Sequence, residues 1–222
     1  MLISTRLFGW TCKLVATFAM LTLASIRPVV AGIQGSPHDF SQNGWSSGEI
    51  CNICHTPHNT NNLSQGPLWN HEISSATYVL YSSPTMDVVA EQPPPGGLSR
   101  LCLSCHDGTI AVDSFGGIGG GTTITGKANL GIDLSNDHPI GIQWIHQTQS
   151  RGSLNCTGCH VLTYNPNTLA YEFGPPGQDV KFFNSKVECP SCHDVHNSRV
   201  RDVKLLRMPL AGSQLCLQCH PK

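Results

Sequence analysis

Cys189-Pro190-Ser191-Cys192-His193-Asp194-Val195-His196 is the stretch that decides how this chain is read. Two cysteines three positions apart are followed at once by a histidine, and a second histidine comes three residues later. The five-residue core of the stretch recurs as Cys51-Asn52-Ile53-Cys54-His55, Cys102-Leu103-Ser104-Cys105-His106, Cys156-Thr157-Gly158-Cys159-His160 and Cys216-Leu217-Gln218-Cys219-His220. The starts lie 51, 54, 33 and 27 residues apart, so the repeat is chemical and not a structural unit of fixed length. Of eleven cysteines, only Cys12 stands outside the pairs. Histidine is 11 of 222 residues, so five such placements by chance have a probability on the order of 10⁻⁷.

Composition says what the motifs must supply. Leu, Ile, Val and Phe make up about a quarter of the chain, near the level at which a sequence cannot bury enough apolar surface to fold unaided. With 22 Gly and 15 Pro, turns are favoured over long helices or strands. Only 12% of residues are charged and the formal net charge is −1. A coiled coil, a large parallel α/β sheet and a polybasic nucleic-acid binder are thereby excluded. Part of the core has to come from something other than side chains.

Cys-x-x-Cys-His is the attachment signature of c-type haem. Two thiols add across the two vinyl groups of the porphyrin, and the adjoining imidazole takes one axial position on iron. A zinc ribbon uses two Cys-x-x-Cys pairs per metal, which leaves one pair over, and has no need of a histidine after each. A thioredoxin-like pair occurs once, near a βαβ pattern that is absent here. An extracellular disulfide framework rarely confines every cysteine to such pairs. The expected cofactor is therefore haem c, five copies, held by Cys51, Cys54, Cys102, Cys105, Cys156, Cys159, Cys189, Cys192, Cys216 and Cys219. Burial of these large apolar discs replaces the missing aliphatic core, and folding is expected to be coupled to their attachment.

Residues 1–31 read as an address. Arg6 and Lys13 precede an apolar run from Leu14 to Ala24, and Val29-Val30-Ala31 before Gly32 reads as a small-residue cleavage site. The run is too short for a bilayer, which takes roughly 20 apolar residues. The expectation is a signal peptide over 1–31 and a pentahaem domain over 32–222, exported to the periplasm or beyond, with no permanent membrane span after cleavage. The mature chain would carry 10 basic against 14 acidic residues, a formal charge of −4.

Local structure is faintly written. Polar, turn-rich segments dominate, at Ser41–Ser47, Asn59–Gln65, Glu91–Gly97, Phe115–Thr125 and Tyr164–Gly177. Pro93-Pro94-Pro95-Gly96-Gly97 must be a loop. Short helices are expected around Gly48–His55, Ser99–His106 and Gly212–His220, and short strands at Thr77–Tyr81 and Val180–Phe183.

The proximal ligands are expected to be His55, His106, His160, His193 and His220. Six histidines remain in the mature chain, His38, His58, His71, His138, His146 and His196, enough for a second imidazole on every iron. Such irons are low-spin, closed to substrate, and lower in potential than His/Met haems. Met86 and Met208 read as packing residues. His58 and His196 each follow a proximal histidine by three residues. That is too short a path to the far face of the same haem, so each is expected to reach the iron of a neighbour and draw two macrocycles into near-parallel contact. His38, His71 and His138 are further candidates, with acidic or amide neighbours able to orient the ring. His71 and His146 compete for the last position.

At these residues the chain resembles multihaem cytochromes with doubled Cys-x-x-Cys-His motifs. The resemblance is carried by Ser36-Pro37-His38-Asp39-Phe40-Ser41, Cys54-His55-Thr56-Pro57-His58-Asn59, Leu68-Trp69-Asn70-His71, Leu101–Gly108, Asp137-His138-Pro139, Cys192–Asn197 and Leu215–His220. Relatives include the tetrahaem subunits of extracellular cytochrome nanowires, whose bis-histidine haems stack along a polymer. The resemblance implies His38, His58, His138 and His196 as distal ligands, with one haem ligated from a neighbouring subunit. The chain departs from the four-haem pattern at Gly141–Val187, which brings Cys156–His160 and His146.

The resulting expectation is a multihaem cytochrome c of mostly irregular loops, short α-helices and few short strands, packed around a haem chain. It would be an electron carrier with no bond-making chemistry of its own. Its partners would be other redox proteins or copies of itself in a homopolymer. A soluble shuttle is the alternative, and a haem reductase, which needs an open iron position, is disfavoured.

Overall fold

A computed structural model describes residues 32–58, 60–61, 63, 65–86, 88–143, 162–165, 170–173, 180–196 and 204–220, with backbone alone for 162–165 and 170–173. The expected signal peptide therefore lies outside the described residues, as do Cys156, Cys159, His160 and His146. All described residues fall in one unit, Gly32–Lys222. Among them no helix is long and apolar enough to cross a membrane.

The irregular architecture expected from composition is observed. Turns and bends join three short helices, α1 (Leu98–His106), α2 (Cys189–Cys192) and α3 (Gln214–Leu217), with three-residue 3₁₀ turns at Ser41–Asn43, Gly126–Ala128 and Ala211–Ser213. The strands are two to four residues long. β1 (Val79–Leu80) and β2 (Asp133–Leu134) pair in parallel, Val79 opposite Asp133. β3 (Ile142–Gln143) and β7 (Lys186–Val187) pair antiparallel, Ile142 opposite Val187. β4 (Leu162–Asn165), β5 (Ala170–Phe173) and β6 (Lys181–Phe182) form an antiparallel sheet with Tyr164 opposite Tyr171 and Tyr171 opposite Phe182.

α1 is the longest helix and follows from its sequence. The loop Pro93–Gly97 turns back on itself, Gly97 N–H donating to Pro94 O at 2.9 Å, and delivers an extended Gly97 as N-cap. Leu101 and Leu103 are buried, and Leu103 packs with Tyr78 and Leu134. The helix stops at Asp107, whose N–H still reaches Leu103 O at 2.8 Å, and Gly108 follows at φ 73°, a left-handed position that suits glycine. A second small cluster joins Val180, Phe182 and Val187 to Ile142, Met208, Leu215 and Cys219. Both clusters are thin, as the scarcity of aliphatic residues predicts. The other Met expected to pack, Met86, lines a surface groove with Leu80 and Val88.

Two local expectations need correction. Gly48–His55 is not a continuous helix: Gly48 takes φ 84°, which no right-handed helix accommodates, and only the single turn Cys51–His55 closes, His55 N–H donating to Cys51 O. Part of the stretch Tyr164–Gly177, read as turn-rich, holds β5.

Polar groups carry much of the remaining order. The buried Arg100 donates from Nε and a terminal nitrogen to Pro93 O at 2.8 and 2.6 Å, and from the other terminal nitrogen to Ala76 O at 2.6 Å. Its guanidinium stands 5.1 Å from the Tyr78 ring centre. Asp107, next to His106, accepts from Ser74 Oγ at 2.5 Å, Tyr78 OH at 2.8 Å, and the Thr109 amide and hydroxyl at 2.7 Å each. Burial opposes its charge, yet those hydrogen bonds hold its carboxyl below the usual range.

Candidate haem-binding sites

Each of the four described motifs is one helical turn. The histidine N–H donates to the carbonyl of the first cysteine, at 2.8 Å for His55, 3.1 Å for His193 and 2.9 Å for His220, while His106 lies within α1. Residues i, i+3 and i+4 of such a turn share one face, so the two thiols and the imidazole are presented together. All eight described motif cysteines are free thiols. Burial, then Cys51, pushes Cys54 up to about 11. Burial, then Cys54 and Asp107, pushes Cys105 up to about 12. Cys219 rises to about 11 through burial and through Cys192 and Cys216. These three thiols are therefore protonated at neutral pH in the metal-free chain.

The same neighbours give the motifs a spatial order. Cys105 is close enough to Cys54, Cys102 to Cys189, and Cys192 to Cys216 and Cys219 for the thiols to feel one another electrostatically. Motif 102–106 thus neighbours 51–55 and 189–193, and 189–193 neighbours 216–220.

The imidazoles are oriented from behind. Nδ1–H donates to a backbone carbonyl at 2.8 Å in three motifs: His55 to Pro67 O, His106 to Ala128 O and His193 to Lys204 O. That bond fixes the tautomer and leaves the Nε2 lone pair for a metal. Two of the cradles are alike in detail. In one, Thr56 N–H donates to Leu68 O and Asn70 N–H to Cys54 O, both at 2.9 Å. In the other, Asp194 N–H donates to Leu205 O at 2.6 Å and Arg207 N–H to Cys192 O at 2.8 Å. Leu68 and Leu205 occupy the same left-handed conformation, φ 56° and 53°.

Three motif histidines, His55, His106 and His220, have a second imidazole near them. Ring centres are 6.0 Å apart for His38 and His106, 6.3 Å for His55 and His196, and 6.4 Å for His138 and His220. Two metal–nitrogen bonds of about 2 Å, plus the distance from each nitrogen to its ring centre, sum to roughly 6 Å. The residues present thus fit a six-coordinate iron porphyrin, in which the macrocycle supplies four nitrogens and the chain two. Among the described residues no group of three or more His, Cys, Asp or Glu side chains gathers as a metal site by itself. His38 is suited to the role. Burial, and then the proximity of His106, His193 and His196, pushes its imidazole down to about 4, so it is neutral, and its buried Nδ1 has no hydrogen-bond partner among the described residues.

The structure does not bring every candidate to such a pair. His58 is exposed and faces no imidazole among the described residues. His71 is only 1% exposed, and both its nitrogens meet carbonyls, Nδ1 at Glu72 O (2.7 Å) and Nε2 at Ala111 O (3.0 Å), with Cys105 Sγ 3.4 Å from Nε2. Sequence reasoning missed the carbonyls that orient the proximal rings. They come from backbone 11 to 22 residues downstream, and a carbonyl has no residue-type signature.

Compared with known proteins, the C-terminal segment 182–222 matches the family model described as doubled CXXCH motif. It contains Cys189–His193 and Cys216–His220, whose spacing marks covalent attachment of c-type haem. No curated protein matches the chain.

Proposed function

We propose that this chain is an exported electron conduit carrying five covalent bis-histidine haems. The observation that carries the reading is the set of three imidazole pairs separated by 6.0 to 6.4 Å, each containing the histidine of a different Cys-x-x-Cys-His motif. Bound haem would supply reversible one-electron chemistry at iron.

In this reading His55 and His196 hold the first iron, His106 and His38 the second, and His220 and His138 the fifth. His196 belongs to the stretch that starts at Cys189, so the fourth motif lends a ligand to the first. His58, at the same offset from His55, returns the exchange by ligating the iron on His193. His160 holds the remaining iron. The carbonyls at both nitrogens of His71 favour His146 over His71 as its partner.

Two imidazoles on each iron close it to substrate, so the chain carries electrons and does not reduce a small molecule. Electrons pass either between copies of the chain in a filament or to a separate redox protein. Negative-stain microscopy of the secreted material distinguishes the two. Mass spectrometry of the denatured secreted chain tests the rest: five haem masses on a chain starting at Gly32 support the reading. A colourless or zinc-loaded protein overturns it, and carbon monoxide binding to the native reduced protein revives a reductase.

A further inference from the structure

The buried carboxylate of Glu188 caps two haem-bearing helices at once. It is the N-cap of α2, where it accepts the Ser191 N–H while Ser191 Oγ accepts the Glu188 N–H at 2.9 Å, a reciprocal capping box. It also reaches the first turn of α1, 89 residues earlier in the chain, and accepts the hydroxyl of Ser99. Ser99 Oγ in turn accepts the Cys189 N–H at 3.0 Å. The positive ends of both helices thus converge on one negative group, an arrangement their dipoles favour. Ser99, Ser191 and Glu188 are all buried, at 0%, 1% and 5% exposure. Beside this closed network Cys102, one turn after Ser99 in α1, and Cys189, the first residue of α2, are neighbours.

We propose that Glu188 is a positioning residue for electron transfer, holding the turns Cys102–His106 and Cys189–His193 side by side and so fixing the electron step between the haems they would carry. The step changes no bond and moves no proton: one iron is oxidised as the other is reduced. The inference rests on the bis-histidine conduit reading. No other link among the described motifs joins two helix N-termini through one side chain.

The test compares haem-loaded wild type with Glu188→Ala, Glu188→Gln and Ser99→Ala. Three properties are read: covalent haem count, the Soret circular-dichroism couplet that reports haem–haem geometry, and the individual midpoint potentials. Glu188→Ala and Ser99→Ala are expected to keep the haem count and low-spin spectrum, weaken the couplet, and shift the potentials of two haems. Glu188→Gln, which keeps an acceptor oxygen at the same place, is expected to restore the couplet. Should Glu188→Ala fail to fold, Ser99→Ala decides. A wild-type couplet and wild-type potentials in the alanine variants overturn the inference, as does a Glu188→Gln couplet as weak as that of Glu188→Ala. Wild-type protein without low-spin haem overturns the conduit reading itself, a result distinct from loaded protein whose couplet ignores these substitutions.

Discussion

The segment 51–70 and the segment 189–207 hold their histidines in the same way but begin differently. Behind the motif each forms the same cradle, a carbonyl at 2.8 Å from Nδ1 and a left-handed leucine beside it. In front of it they part. Cys189 opens α2, whose N-terminus is tied through Glu188 and Ser99 to α1, whereas Cys51 follows turns and is exposed. The cradle is thus what an axial histidine requires, because the ring must be aimed. The leading helix at Cys189 is a packing device that ties this motif to α1.

The comparison can be broken at several points. The largest effect is expected from removing the anchors. Cys51→Ala/Cys54→Ala and Cys189→Ala/Cys192→Ala should each lose one haem mass. Secreted yield should fall further for the second, since its motif is also the link between α1 and the cluster around Phe182. Equal yields would show that the front of the motif carries no structural load.

Under the proposed reading, exchange of distal ligands would make the two segments interdependent. His196→Ala and His58→Ala should each convert one low-spin iron to high-spin in the oxidised spectrum and leave every haem attached. An unchanged low-spin spectrum in either variant rejects that histidine as a ligand.

The two leucines sharpen the contrast because their backbones agree and their burial does not. Leu205 is 4% exposed and Leu68 52%. Both conformations are costly for a β-carbon by roughly 1–2 kcal/mol, which glycine removes. Leu68→Gly should therefore raise stability by up to about 1 kcal/mol in denaturant titration. Leu205→Gly should lower it by about 1–3 kcal/mol, since the lost burial outweighs the relief.

Asp107 offers a smaller, pH-resolved test beside the second motif. Its folded pKa lies below the unfolded one, so its stabilisation is present above the unfolded value, about 3.9, and is lost as pH falls through the folded value. Asp107→Asn should cost about 1–3 kcal/mol at pH 7. The gap to wild type should close on acidification below about pH 4, and a gap constant with pH would show that the carboxylate charge plays no part.

Much of the chemistry was legible in the sequence, and less of the architecture. The motif spacing shows in the helical turns at Cys51, Cys189 and Cys216, because a one-turn constraint is local. The loop at Pro93–Gly97 and the helices near Ser99–His106 and Gly212–His220 were readable for the same reason. The helix at Cys189–Cys192 was harder to see. Pro190 looks like a breaker, although proline is tolerated in a first turn, and its capping box runs Glu188 to Ser191, the reverse of the usual order. Alternation in Leu162–Asn165 and Ala170–Phe173 was hidden by Asn, Thr and Glu. Which distal histidine meets which proximal one is tertiary information. His38 lies 68 residues before His106 and His55 lies 141 before His196, and no spacing rule reaches so far.

Iron positions test the central claim most directly. An anomalous-scattering map of the crystallised, haem-loaded protein is predicted to show iron between the Nε2 atoms of His55 and His196, with further irons between His38 and His106 and between His138 and His220. An iron on His55 whose opposite ligand is anything other than His196, or an open sixth position on any of the three, would contradict the account.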